Sequence, residues 1–242
     1  MQPPIDRESN KQFMGLVDFA QTLTSSGLQR ERTLERSQKI FRKAALITDN
    51  RIKDVLTQLD TMSEEEREFM RPKCSDGCSH CCYQWVRSTA TEVFAVSEYI
   101  RANWSPEQVG DLLVRCQSYR EEFQRHPAGS MFSLACPILD GNLCPVYDVR
   151  PFICRGCNSM DVQKCAEGRE DPNSGVAIPI IMPVLMSAGA VRQGIQMGLE
   201  AVGYRPTELV FALALETALT SADVADRFFS GEDVFANDVI PV

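Results

Sequence analysis

Histidine and tryptophan are scarce in this chain, two of each in 242 residues, and aromatic residues of all kinds make up 8%. With only His80 and His126 available, imidazole cannot be the main donor of any metal site. Positive charge is short as well: 25 lysines and arginines against 33 acids leave a formal net charge of −8. The sequence pI is about 4.9. That balance gives no electrostatic footprint for nucleic acid or for an anionic membrane surface. No apolar run approaches the roughly 20 residues that a spanning helix needs. The opening Met1-Gln2-Pro3-Pro4-Ile5-Asp6-Arg7-Glu8 lacks the basic and apolar regions of a secretory leader, so a cytoplasmic location is expected. There is no internal repeat, P-loop, dinucleotide fingerprint or metalloprotease signature.

Cysteine is what the chain has in excess. All ten fall between Cys74 and Cys165, and all but Cys116 lie in two blocks. The first reads Cys74-Ser75-Asp76-Gly77-Cys78-Ser79-His80-Cys81-Cys82. The second contributes Cys136, Cys144, Cys154, Cys157 and Cys165. Gaps of two or three residues let a turn aim successive sulfurs at one point. In a reducing compartment such thiols are ligands rather than disulfides, and 242 residues with 44% hydrophobic content can build a core without covalent staples.

Three kinds of centre compete. A single Zn2+ could take the close pairs Cys78/Cys81 and Cys154/Cys157. A [4Fe–4S] cluster commonly takes three thiolates from one short run and a fourth from far away. Cys74, Cys78 and Cys81 with Cys154 or Cys144 suit that pattern, which is favoured here. The thiols are numerous enough for two clusters. Cys82, adjacent to Cys81, packs beside it or joins a second centre, and Cys136 and Cys144, each followed by proline, compete with Cys154 for the fourth place. His80 can ligate or sit solvated in its loop.

Arg150 and Arg155 flank Cys154, placed either to offset the charge of an anionic centre or simply on the surface. Tyr147 can anchor its loop through the hydroxyl, and Asp148 can pair with an arginine. No catalytic residue stands out. The spacing of Cys74, Cys78 and Cys81 is also that of radical S-adenosylmethionine enzymes, but the strand–helix alternation of their partial barrel is missing. A cluster with one open iron remains chemically allowed.

The expected fold is mainly α: one helical domain over residues 1–242 around an irregular cysteine-rich core. It divides into N-terminal helices (1–73), the cysteine region with inserted helices (74–170) and C-terminal helices (171–242). Apolar periodicity predicts helix over about 33–60. Capping boxes at Ser63/Glu66 and Thr89/Glu92 open two more helices, and Ser105-Pro106-Glu107-Gln108 opens another. Cys116 rides the apolar stripe of that last helix and is expected in the core. Prolines and glycines from 127 to 185 predict irregular chain that a metal centre would order, with Val176 to Leu185 as an extended buried segment. Ser187 to Val202 reads as helix capped by Gly203. Ala190, Gly194 and Gly198 leave room on it for another backbone or a cofactor. One or two helices follow from Thr207 to about Phe229, and the acidic tail from Gly231 is expected to be loosely held.

Taken together, Cys78-x2-Cys81-Cys82, Cys136-Pro137-x-Leu139, Cys144-x2-Tyr147 and Arg150-Pro151-x2-Cys154-Arg155 resemble the YkgJ-like cysteine-cluster family. This zinc- or iron-chelating domain shares its signature with flagellin lysine N-methylases. The resemblance spans roughly residues 74 to 157. It implies a bound iron–sulfur cluster or zinc and, in some members, S-adenosylmethionine-dependent methyl transfer to protein lysine. It does not extend to Cys157 or Cys165. Two classes of function stay open: a cluster-binding protein with structural, redox or iron-handling duty, and a cluster-using methylase. A structural zinc-binding interaction protein is the third possibility, and a protein partner or protein substrate is left open.

Overall fold

The computed structural model describes residues 7–127, 130–205 and 208–239. It is mainly α, with helices α1 (Arg7–Arg30), α2 (Leu34–Gln58), α3 (Glu64–Met70), α4 (Ala90–Asn103), α5 (Pro106–Arg125), α6 (Phe152–Gly156), α7 (Val162–Glu170), α8 (Met182–Ala201), α9 (Phe211–Thr220) and α10 (Val224–Phe229). The strands β1 (Arg87–Ser88) and β2 (Leu209–Val210) pair antiparallel, Arg87 opposite Val210 and Ser88 opposite Leu209.

Local chemistry sets the helix starts. Thr33 accepts from the Arg36 amide to open α2. All three capping boxes form, Ser63 with Glu66, Thr89 with Glu92, and Ser105 with Gln108, each satisfying amides that a helix start leaves without partners. Their surroundings differ. None of the residues of α3 is buried, whereas Ala90 through Ser97 of α4 are buried without a break.

One apolar core runs from Ala20 and Leu28 on α1, through Phe41, Phe94, Ile100, Leu112 and Phe152, to Phe228 and Phe229 on α10. The small-residue face of α8 is filled by α1. A Cβ added at Gly194 would stand 2.3 Å from the Val17 carbonyl oxygen, and one added at Gly198 would stand 2.5 Å from Thr24 Cβ. The face therefore serves backbone approach, not a cofactor. Helix α1 itself is missing from the sequence expectation, which begins its first helix at residue 33.

Cys116 is fully buried, and desolvation pushes its thiol up to about 12. Cys116→Ser should therefore leave metal content unchanged. It should lower stability by about 1–2 kcal/mol, because a hydroxyl is buried there in place of a near-apolar thiol. Metal analysis beside urea unfolding checks both, and loss of metal would make Cys116 a ligand.

Three expectations need correction. The stretch from 127 to 185 is irregular only in part, since α6 and α7 fold within it and α8 already begins at Met182. Pro183 lies in the first turn of α8, where its missing N–H costs nothing, so Val184 and Leu185 are helical rather than extended. The acidic tail is docked: the Val210 amide donates to the Asp238 carbonyl, and buried Asp238 pairs with Arg120 at 2.8 Å. Phe235 enters the Phe94 and Phe228 cluster. Thr207, Ala128 and Gly129 lie outside the described residues.

Candidate metal centre

The first cysteine block is a series of tight turns. Gly77 adopts a φ of +81°, a conformation costly for any side-chain-bearing residue. The Cys78 amide donates to the Ser75 carbonyl at 3.0 Å and the Cys82 amide to Ser79 at 2.9 Å. The second block is laid against it by backbone pairing. Leu134 donates to the Tyr83 carbonyl at 2.8 Å, and Cys136 donates to the Cys82 carbonyl at 2.7 Å. A bridge between Asp140 and Leu143, turning through Gly141 at φ +58°, brings the chain back at Cys144. Helix α6 carries Cys154, and Cys157 follows at its end. Asp161 caps α7 by accepting from the Gln163 and Lys164 amides, and α7 carries Cys165.

Two buried side chains anchor this assembly to the helices. Glu92 is wholly buried. One carboxylate oxygen accepts from the Thr89 amide at 2.6 Å and the Thr89 hydroxyl at 2.9 Å. The other oxygen accepts from the Phe152 amide at 2.8 Å, two residues before Cys154. Desolvation raises its pKa above the ordinary carboxylate range, partly offset by those amide donors.

Arg155 does not face the sulfurs. It donates to Asp49 on α2 at 2.7 Å and to the Arg150 carbonyl at 3.2 Å, and it also reaches the Asp148 carbonyl. The expected charge balance at Cys154 thus falls away for Arg155, which clamps the loop to α2. Arg150 lies 3.6 Å from the centroid of the Tyr147 ring, so Tyr147 works through its ring rather than its hydroxyl. The charge of Arg150 lowers the Cys144 pKa, though desolvation is the larger influence and raises it.

All ten cysteines are free. Cys157 and then Cys82, beside Cys81, hold the Cys81 thiol well below its usual pKa. The same contacts, followed by desolvation, push Cys82 and Cys157 upward. Desolvation raises the thiols of Cys74 and Cys165 and holds Cys154 well above the ordinary thiol value, and it pushes Cys136 up to about 11. The charge of Cys81 adds to the rise at Cys74, Cys165, Cys144 and Cys154 alike, so it bears on both cysteine blocks.

The structure thus lays Cys136 beside Cys82 through a backbone bond and packs α7, which carries Cys165, against the turn that carries Cys81 and Cys82. His80 Nδ1 is buried without a hydrogen-bond partner, whereas His126 is engaged elsewhere, stacked on Phe132 at 4.1 Å. A donor set this rich in sulfur, with an orphaned imidazole nitrogen beside it, fits a thiophilic metal. Among the described residues, however, no three His, Cys, Asp or Glu side chains are gathered to hold one ion.

Glu92, the destination of Arg155 and the neighbourhood of Cys165 escaped sequence reasoning. For Glu92 a signal existed: its capping box opens directly into the apolar run Val93-Phe94-Ala95-Val96. Residues 73–171 match the family model CxxCxxCC, described as a putative zinc- or iron-chelating domain, so the resemblance read from the sequence is borne out over that segment. No curated protein and no solved structure matches the chain. The name spells a spacing of two residues before its second cysteine, where this chain has three: Ser75 stands at that place and Cys74 one residue earlier.

Proposed function

We propose, with the zinc- or iron-chelating domain of residues 73–171 as the premise, that this chain holds a cysteine-ligated [4Fe–4S] cluster. The ligands are drawn from both cysteine blocks. The observation that carries the reading is that the Cys136–Cys82 backbone bond joins the two cysteine blocks while the Glu92–Phe152 bond holds the start of α6, which puts Cys82, Cys136, Cys144 and Cys154 forward as the four ligands. A single tetrahedral zinc, with Zn–S near 2.3 Å, needs its sulfurs only about 3.8 Å apart. The described side chains offer no such closed group of three. A cubane spreads its four thiolates over four corners and suits neighbouring but separated sulfurs. Such a cluster ties irregular loops to a helical frame and can carry an electron. The free thiols suit a reducing compartment such as the cytoplasm.

Methylation receives less support. The groove between α3 and α7, about 1370 Å³, is lined by residues such as Leu56, Glu68, Lys73, Met160 and Lys164 and by no cysteine.

Protein isolated without exposure to air should be brown and contain iron and acid-labile sulfide in equal amounts. Cys154→Ser and Cys82→Ser should each remove most of the iron held by these four residues. Stoichiometric zinc without sulfide would replace the cluster by the structural zinc reading, and protein free of metal would overturn chelation itself.

A further inference from the structure

We infer that a second copy of this chain docks on the groove between α1 and α2, with the acidic helix α3 of each copy lying in the groove of the other. No cysteine lines that groove, so the pairing stands apart from the cluster reading.

The groove, about 640 Å³, has Phe19, Leu23 and Ile40 as its apolar floor. Arg30, Arg36, Lys39 and Lys43 line it against one acid, Asp18. The stretch 30–43 holds six lysines and arginines against two acids, in a chain whose formal charge is −8. Arg36 and Lys39 are paired with those two acids, Glu31 and Glu35. Among the described residues no acid pairs with Arg30 or Lys43, and Lys43 Nζ stands 5.8 Å from the centroid of the Phe19 ring. Cations at the rim of an apolar floor suit an acidic helix that also offers an apolar side chain.

The same chain presents such a helix. Residues 60–68, which run from the end of α2 into α3, hold five acids against one arginine. No residue of α3 is buried, and Phe69 is 71% exposed. Glu65 and Phe69, four residues apart, share one face of the helix. Glu66 is used by the Ser63 cap and Glu68 by Lys73, which leaves Glu64 and Glu65 without a basic partner among the described residues. A helix of seven residues gains little from its own hydrogen bonds, so a surface that covers Phe69 would also hold α3 in place. Helix α2 carries the groove on its N-terminal half and leads to α3 beyond its other end. Two copies set antiparallel along α2 bring each α3 to the other's groove, and the contact is made twice, as a two-fold interface requires. Exposed Leu46 and Met14, three residues after Lys43 and four before Asp18, extend the groove walls toward the middle of that interface.

Sedimentation velocity on the full chain, purified without exposure to air, tests the pairing. The wild type should be a dimer at about 50 mM salt and shift to monomer toward about 1 M, where screening acts over about 3 Å. Arg30→Glu with Lys43→Glu should be monomeric at low salt. So should Glu64→Lys with Glu65→Lys, which leaves the Ser63–Glu66 capping box intact. An equimolar mixture of these two variants should recover the dimer, because each altered groove then meets a helix of opposite charge. Phe69→Ala should weaken dimerisation about tenfold or more, since it removes the ring that the apolar floor would cover. Helical circular dichroism verifies that every variant is folded. A wild type that stays monomeric at low salt would overturn the second copy as occupant and leave the groove to an acidic segment of another protein. A dimer that survives both charge reversals, or reversals that mixing does not rescue, would overturn the contact between α3 and the groove.

Discussion

Gly194→Ala is expected to lower folding stability by about 2 kcal/mol or more. The added methyl group would lie 2.3 Å from the Val17 carbonyl oxygen, 2.7 Å from Ala20 Cβ and 3.0 Å from the Gln21 amide nitrogen. Two of these are backbone atoms of α1, which cannot rotate aside, so α1 must lift off α8. Overpacking of this kind costs about 1–3 kcal/mol and occasionally more. Alanine regains only about 1 kcal/mol of helix propensity over glycine. Gly189 lies on the same helix with nothing within 4 Å of its added Cβ. Gly189→Ala should thus raise stability by about 0.5–1 kcal/mol, which makes it the matched control. If denaturant unfolding places both variants at or above the wild type, α1 is not packed against α8 as described.

Glu92→Ala should cost about 3 kcal/mol or more and also diminish bound iron. Truncation deprives the Thr89 amide, the Thr89 hydroxyl and the Phe152 amide of their acceptor in a site closed to water. Each buried donor left unpaired costs about 1–3 kcal/mol. Its counterpart in α3, Glu66, makes the same capping box in an exposed setting, so Glu66→Ala should cost about 1 kcal/mol or less and leave iron untouched. Iron falls only in the first variant because Glu92 alone among the capping-box acids holds the start of α6, and with it Cys154. Full iron retention in folded Glu92→Ala would show that α6 keeps its place without that bond.

The elements legible in the sequence are those written in local signals. Capping boxes and apolar period give α2 through α5, and the small residues at 190, 194 and 198 announce a close neighbour. What the local signals lack is the neighbour's identity. Helix α1 meets a partner far away in sequence, Val17 lying against Gly194 and Thr24 against Gly198. The start of α8 was misread because Pro183 is compatible with either a first helical turn or extended chain. Cysteine spacing located the metal region and grouped Cys154 with Cys74, Cys78 and Cys81. The Cys136–Cys82 backbone pairing and the hold of Glu92 on α6 leave no trace in spacing. Likewise Arg155 lies beside Cys154 in sequence, yet its guanidinium is drawn away by Asp49, 106 residues distant.

The packing of α1 against α8 also governs the order of events during synthesis. As the chain leaves the ribosome, the face of α1 bearing Val17, Ala20 and Thr24 has no partner until Gly198 has emerged. At translation speeds of about 5–20 residues per second this delay lasts roughly 10–35 s. In the part of that interval between the emergence of Cys82 and that of Phe152, the first cysteine block is outside but Cys165 and the α6 anchor are not yet in place. Metal delivered at that stage would meet the four thiols of the first block without the second block beside them. An apolar helix face and a run of thiols thus wait for their partners over the same stretch of synthesis, which makes metal binding a late step of folding.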